Sequence, residues 1–580
     1  MEYSRLVEVY EKISSTSKRL EKTYHISRLL RSKEDKDMNA LILLLQGKVF
    51  PAYDEKNVGV SSRTLVKAIS ISSGVSQDKV EDEWRKRGDL GEVASHLMKN
   101  KIQSTLFSES LSVRKVFSNL RKLAELEGKG SFDQKIKLIS ELLTSAGSKE
   151  AKYVTRTALE DLRVGVSEGT IRDSIVWAYM GDELGLSYDP EKNKLDIESR
   201  DEYNKALDLV QEAYDTSNDF AKVCELLEKE GRKGLKKIRM EVSIPVRAML
   251  ALKAKDVNDA FDRVGSPAAF EYKYDGFRAQ IHKGDGKIRL FTRRLEEVTN
   301  QFPDLIERIE QHIKGNSFIL DAEVVGLDAK TGRYLPFQSI SQRIRRKYDI
   351  REMSKKFPVE LNIFDIMMYE GKNMIKEPFE KRRELLESIV TSRKKQVIAA
   401  KKIISSDPKE VEAFFKEAKE QGNEGLMAKK LDAPYKPGAR TGYMVKIKET
   451  MENLDLVIVG AEWGEGKRAN WLSSFTLACV DEGEFLEIGK VGTGIKEKEE
   501  GVSFEKLTEM LKPLITKQKG REVWIKPKIV VEVTYEEIQK SPTYSSGYAL
   551  RFPRVLFIRE DRRPQDASTL SYVEELYYER

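Results

Sequence analysis

Lys273 stands between two acids in Phe270-Glu271-Tyr272-Lys273-Tyr274-Asp275-Gly276-Phe277-Arg278, a setting suited to a nucleophile. An extended chain sends successive side chains to opposite faces. Glu271, Lys273 and Asp275 then share one face, and Phe270, Tyr272 and Tyr274 share the other, which suits a core. A lysine amine attacks only when neutral, so this role needs a lowered pKa and a fixed position. Taken alone, Lys-x-Asp-Gly is better described as a solvated strand lysine in an ion pair, because four-residue patterns recur by accident. The weight comes from polar groups that follow in order: Asp321 and Glu323, Phe364-Asp365, Glu424, then Lys446 and Lys448. A fold avoids strands that offer carboxylates and lysines on polar faces unless they line a site.

These groups require strands to carry them. Lys283-Gly284-Asp285-Gly286-Lys287 reads as a hairpin turn, because Asp and Gly tolerate positive φ. It returns the chain through Ile288, and is expected to bring Arg293 back near the Lys273 strand. Segments 317–326, 361–369, 424–429 and 443–448 read as further strands, the last with Lys446 and Lys448 on one face. Before them, residues 1–238 carry helical apolar spacing at Leu41 to Leu45, Leu120 to Leu126, Ile136 to Leu143 and Ile175 to Met180, and end in a basic linker. After Met451 strands dominate: Leu454 to Val459, Ser474 to Val480, Phe485 to Lys490 and Ile529 to Tyr535. The expectation is a multidomain α, α/β and β chain, divided at 1–238, 239–449 and 450–580.

The ordered set Lys-x-Asp-Gly at 273–276, Asp-Ala-Glu at 321–323, Phe-Asp-Ile at 364–366, Glu-Gly-Leu-Met at 424–427 and Lys-x-Lys at 446–448 resembles the covalent nucleotidyltransferases. Arg551-Phe552-Pro553-Arg554 with Arg559-Glu560-Asp561-Arg562-Arg563-Pro564 resembles their last motif. The whole length resembles the ATP-dependent DNA ligases of archaea and eukaryotes, closest to the compact archaeal form. Leu162-Arg163-Val164-Gly165 with Glu168 and Thr170 is similar to their helical DNA-binding domain, and residues 450–580 to an OB-fold β-barrel.

The resemblance implies that Lys273 takes AMP from ATP as a phosphoramide, with Glu271 reading the adenine edge and Phe364 stacking on it. It implies Arg278 and Arg293 at the ribose and phosphates, Glu323 at a ribose hydroxyl or a metal, and Glu424 at the metal. Arg440, Lys446 and Lys448 would bind phosphates. Arg559 and Asp561 would orient the leaving pyrophosphate. Physical chemistry supports the set: ATP is densely negative and needs cations, and Mg²⁺ (or Mn²⁺) takes oxygen ligands such as Glu323 and Glu424. Lys446 and the metal would both lower the Lys273 pKa. Two positions depart from the pattern. Met444 stands where a tryptophan is usual, and Arg562 replaces a lysine; an arginine keeps the charge but changes the hydrogen-bond geometry.

Partners follow from the same reading: nicked duplex DNA, and a sliding clamp through Gln103-Ser104-Thr105-Leu106-Phe107, where an amphipathic loop anchor is an equal reading. Thr170 would cap a helix after Gly165 and offer amides to a phosphate. Gly464 and Gly466 beside Lys467 and Arg468 suggest a DNA-backbone loop, with an ordinary turn as the even alternative. The chain has 580 residues, 34% charged, net charge +7 and two cysteines, Cys224 and Cys479. That composition is globular, and it argues against a zinc module and against a disulfide framework. It fits a monomer in a reducing compartment: the cytoplasm at the nucleoid, or the nucleus of a eukaryote. The run Ala40 to Leu45 is too short to cross a bilayer. An RNA ligase or a capping guanylyltransferase shares the lysine chemistry, but the long helical N-terminal part disfavours both. A non-catalytic clamp-tethered scaffold is disfavoured by the complete set of lysines and carboxylates.

Overall fold

The structure is a computed structural model. It describes residues 1–580 apart from 33–36, 52, 53, 55, 57, 100–109, 127, 129, 345–347, 449–451, 469, 498–501 and 579–580. The proposed clamp segment 103–107 lies outside the described residues. The chain forms two compact units, one of Met1–Val60, Glu109–Ser131 and Arg156–Glu449, the other of Ser61–Ser108, Phe132–Thr155 and Thr450–Arg580. Among the described residues no helix is long and apolar enough to cross a membrane.

The N-terminal region is helical, as its apolar spacing requires. Helices Met38–Leu45, Val113–Leu123 and Glu168–Met180 bury most of their apolar side chains. Helix starts are set by polar caps: the side chains of Ser112 and Ser199 accept from amides three residues on. Ser167, not Thr170, caps the helix Glu168–Met180. The Thr170 amide donates to Ser167 Oγ (3.2 Å), and the Thr170 side chain is buried. Glu168 accepts from Arg247 (2.7 Å) and from the Tyr214 hydroxyl (3.2 Å), tying the helices to the start of the middle region.

The middle region is built on two sheets. One has the order Lys402–Ser405, Ala268–Lys273, Gly425–Lys430, Arg440–Lys448, Leu250–Ala254. Its apolar face (Phe270, Tyr272, Leu426, Ala428, Val445, Ile447) packs on helices Val257–Val264 and Pro408–Glu420. The other is centred on Phe277–Gly284, Phe318–Leu327 and Val359–Tyr369, with Lys287–Thr292 at one side. Its apolar face (Ile281, Leu320, Ala322, Leu361, Ile363) packs on helices Pro303–His312 and Phe379–Ile389. Each sheet therefore spends one face on a core of its own. The remaining faces carry the charged side chains.

The turn 285–286 forms as expected, with Asp285 and Gly286 both at positive φ. It joins Lys287–Thr292 to Phe277–Gly284, however, and not to the Lys273 strand, which belongs to the other sheet. Register places Arg293 just past Thr292, at the Arg278 end of that hairpin, and exposed. Asp275 lies in the turn between the sheets, outside the Lys273 strand.

The C-terminal region is β-rich. Leu454–Trp463 pairs with Leu472–Asp481, Glu522–Ile525 and Val530–Thr534, over a core that includes Leu456, Phe475, Leu477 and Val531. Two helices that alternation did not announce, Phe504–Leu511 and Leu570–Tyr578, complete it.

Candidate active site

Lys273 closes its strand, and Gly425 and Lys448 lie beside it in register. Its Nζ is 2.6 Å from Glu424 Oε2, and the Lys448 ammonium grips the same oxygen. The Glu424 amide donates to the Lys273 carbonyl (2.8 Å), so backbone and side chain pin the acid to the lysine. Gly425 makes this convergence possible. It sits at φ +148°, and a Cβ there would lie 2.2 Å from the Ile447 carbonyl oxygen. Burial alone would raise the Glu424 carboxyl, but the Lys273 and Lys448 charges outweigh it and hold it down at about 2. Glu424 is therefore a carboxylate at any ordinary pH.

One row further along this sheet, Glu271, Met427 and Lys446 stand side by side in register. Glu271 is almost fully buried. Arg383 reaches its Oε1 (3.0 Å) and Lys429 its Oε2 (2.6 Å). Each oxygen has two lone pairs, so each keeps one acceptor site beyond its cation. The acid is fixed in place and still able to accept.

The facing sheet offers Arg278, Asp321, Glu323 and Phe364. Arg278 forks onto both oxygens of buried Asp321, and also donates to the Met249 carbonyl (2.7 Å) and the Tyr435 hydroxyl (2.9 Å). Its guanidinium lies 5.4 Å from the Phe364 ring centroid. Phe364 owes its position to a β-bulge. Asp365 pairs with Asp321 and Ile363 with Ala322, leaving Phe364 as the extra residue. Phe364 and Asp365 consequently line one cavity together with Arg278, Tyr435, Lys429 and Met444. Asp365 is buried but kept ionised by Arg382 (2.7 Å). Glu323 is opposite in character. Burial pushes its carboxyl up to about 8; Lys273 and Arg278 oppose the rise, while Glu424 and Asp321 add to it. Gly276 brings the inter-sheet turn onto this strand, since a Cβ there would meet the Val324 carbonyl oxygen at 2.2 Å.

The structure thus brings together Lys273, Glu323, Glu424 and Lys448, with Glu271, Arg278, Phe364 and Lys446 on the adjoining rows. Arg440 is exposed at the first position of its strand. Arg559 and Asp561 belong to the other unit. There Arg559 pairs with Asp561 (2.8 Å), Asp455 (3.1 Å) and Glu532 (3.4 Å), and Arg562 lies 3.5 Å from Asp455. Met444, at the position of the usual tryptophan, is buried in the wall of the Phe364 cavity.

Sequence reasoning missed Arg382, Arg383, Lys429 and Tyr435. Arg382 and Arg383 did carry a signal. They fall between Phe379 and Leu386 on the buried stripe of helix Phe379–Ile389, where a cation needs an acid to meet it.

Among the described residues no group of three or more His, Cys, Asp or Glu side chains is placed to hold a metal. Two acids, Glu323 and Glu424, act on Lys273. That number suits Mg²⁺, which keeps waters and takes one or two carboxylates plus substrate phosphates.

Comparison with known proteins accounts for this arrangement. Residues 248–448 match the ATP dependent DNA ligase domain, 2–176 the DNA ligase N terminus and 468–562 the ATP dependent DNA ligase C terminal region. A DNA ligase of Nanoarchaeum equitans is 46% identical over 582 residues, spanning 100% of this chain and 98% of its own. One from Archaeoglobus fulgidus is 42% identical, spanning 99% and 98%. The solved structure named Pmar-Lig_PreS3 covers 95% of this chain and 99% of its own, with a TM-score of 0.58 at 17% identity, a likeness of fold. The helical, two-sheet and β-rich regions are those of a nucleotide-transferring enzyme that works on nucleic acid. The chain belongs to the ATP-dependent DNA ligases.

Proposed function

We propose that this ligase seals nicks in duplex DNA through a lysyl-AMP intermediate at Lys273. The neutral Nζ attacks the α-phosphorus of ATP, a P–N bond forms, the bond to the β-phosphate oxygen breaks and pyrophosphate leaves with its electron pair. AMP then passes to a DNA 5′-phosphate, freeing the lysine. The DNA 3′-hydroxyl attacks that phosphate and displaces AMP. The observation that carries this reading is the Lys273–Glu424–Lys448 cluster at the meeting of two polar sheet faces. An ammonium has no lone pair, so Nζ must give a proton to solvent before attack, which loosening of its pairing with Glu424 favours, and it sheds a second proton to solvent as the P–N bond forms.

In this reading Phe364 stacks on the adenine and Glu271 accepts from its amino group. Arg278 and Arg293 serve the ribose and phosphates, and Arg440, Lys446 and Lys448 the phosphates. Arg559 and Asp561 orient the pyrophosphate. Glu323 and Glu424 would hold Mg²⁺ or Mn²⁺, which when bound withdraws charge from the phosphates. Glu323 alternatively holds a ribose hydroxyl. The functional domains are 1–238, 239–449 and 450–580. The protein acts as a monomer at the nucleoid in replication, repair and recombination, and Gln103–Phe107 is the segment to delete when testing for clamp binding.

The test is incubation with α-labelled ATP and Mg²⁺. The wild-type chain takes up an acid-labile label and Lys273→Ala takes up none. Normal labelling of Lys273→Ala refutes the assignment. Preferential labelling by GTP would instead indicate capping chemistry.

A further inference from the structure

Asn362 is fully buried on the strand Val359–Tyr369, and among the described residues neither its Oδ1 nor its Nδ2 has a hydrogen-bond partner. A buried carboxamide left unmet costs stability, and Asn362 lies on the face of this strand opposite the core residues Leu361 and Ile363, in line with buried Glu360. Register shows what Asn362 faces. It pairs directly with Glu323, and Glu323 pairs on its other side with Arg278. Residues opposite one another in an antiparallel ladder share a face, with Cβ atoms about 5 Å apart. Glu323 therefore stands between a guanidinium and a carboxamide.

The guanidinium has four of its five N–H donors committed elsewhere. Its donors go to Asp321, Met249 and Tyr435. Among the described residues Glu323 receives no hydrogen bond, although it lies beside the reactive lysine. Beyond the charges of Lys273 and Arg278, the Asn362 amide across the ladder is a neutral group whose two donors are unused among the described residues.

We propose that Asn362 is a positioning residue for Glu323: on nucleotide binding its Nδ2 donates to a carboxyl oxygen of Glu323 and fixes the orientation in which that acid serves the transfer to Lys273. This rests on the function proposed above. The carboxamide suits the task because it carries no charge to compete with Lys273 or Glu424, and its Oδ1 remains to accept from a hydroxyl or a water held at the same acid. Leucine has a similar volume and would leave no polar atom unmet.

The test compares full-length wild type, Asn362→Leu and Asn362→Asp. It reads melting temperature without nucleotide and single-turnover label uptake from α-labelled ATP with Mg²⁺ across ATP concentrations. Leucine removes both unmet atoms at similar volume, so its melting temperature is expected to be unchanged or higher. Its labelling rate at saturating ATP is expected to fall about 10–100-fold, the usual loss on removing an orienting partner. A labelling rate within twofold of wild type overturns the proposal. Should Asn362→Leu lose both stability and rate, Asn362→Asp decides. That variant keeps the shape but lacks the donor when ionised, and it must lose rate while keeping its melting temperature; full rate, or joint loss again, overturns the proposal. Absence of label on the wild type would condemn the lysyl-AMP reading instead, so the two failures are distinguishable.

Discussion

Replacing Glu424 by glutamine removes the charge that Lys273 and Lys448 share while keeping the shape of the side chain. Holding this carboxyl at about 2 instead of its ordinary 4.5 corresponds to about 3 kcal/mol of favourable interaction. Glu424 is only about one-fifth exposed, so solvent screens the pair weakly. The sign is that of a depressed acid. The stability it contributes is fully present above pH 4.5 and is lost as pH falls toward 2. For a domain of this size 1 kcal/mol moves the melting temperature by about 2–4 °C. Glu424→Gln should therefore melt about 6–12 °C below wild type near pH 6, an upper figure because the amide still accepts hydrogen bonds. Scanning calorimetry from pH 6 down to pH 2.5 measures the difference, which should shrink steadily on acidification. Equal melting temperatures at pH 6, or a gap that persists undiminished in acid, would show that the two lysines do not hold this carboxylate as described.

Glu323 should behave with the opposite sign. Its folded-state value is raised to about 8, so its contribution is present below pH 4.5 and lost as pH rises through 8. Glu323→Gln should accordingly melt higher than wild type at pH 8 and no differently at pH 4, in nucleotide-free scans, while label uptake falls. Phe364→Ala should raise the ATP concentration for half-maximal labelling about tenfold, from about 1–3 kcal/mol of lost stacking; an unchanged value would remove Phe364 from the base site. Arg559→Ala should slow label uptake from ATP far more than the sealing of DNA already adenylylated, and equal loss in both assays would reject its step-specific role.

Much of the scaffold was readable from alternation alone. Phe270, Tyr272 and Tyr274 are buried while Glu271 and Lys273 turn to the site, and Lys446 and Lys448 share a face as their spacing required. Alternation fails where pairing is irregular or where the partner lies far away in sequence. Nothing local assigns Phe277–Gly284 to a different sheet from Lys273, so spacing alone puts Arg293 beside the wrong strand. Ser167 and Thr170, three residues apart, are both good cap residues, and only the helix boundary decides for Ser167. Arg383 on Glu271 and Tyr435 on Asp321 join positions 112 and 114 residues apart, a kind of proximity that no spacing rule reveals. Helices Phe504–Leu511 and Leu570–Tyr578 sit inside a β-patterned stretch, and tertiary packing more than composition keeps them helical.

The extra residue at Phe364 separates two duties that a regular ladder would couple. Upstream of it Leu361 and Ile363 stay in phase with the core, and downstream Ile366 returns to that core. Removing Phe364 outright would join Ile363 to Asp365 in unbroken pairing with Ala322 and Asp321. Such a shortened chain should keep its interior and lose the aromatic wall of its cavity, so at this one position natural selection could remodel the cavity without renegotiating the architecture beneath it.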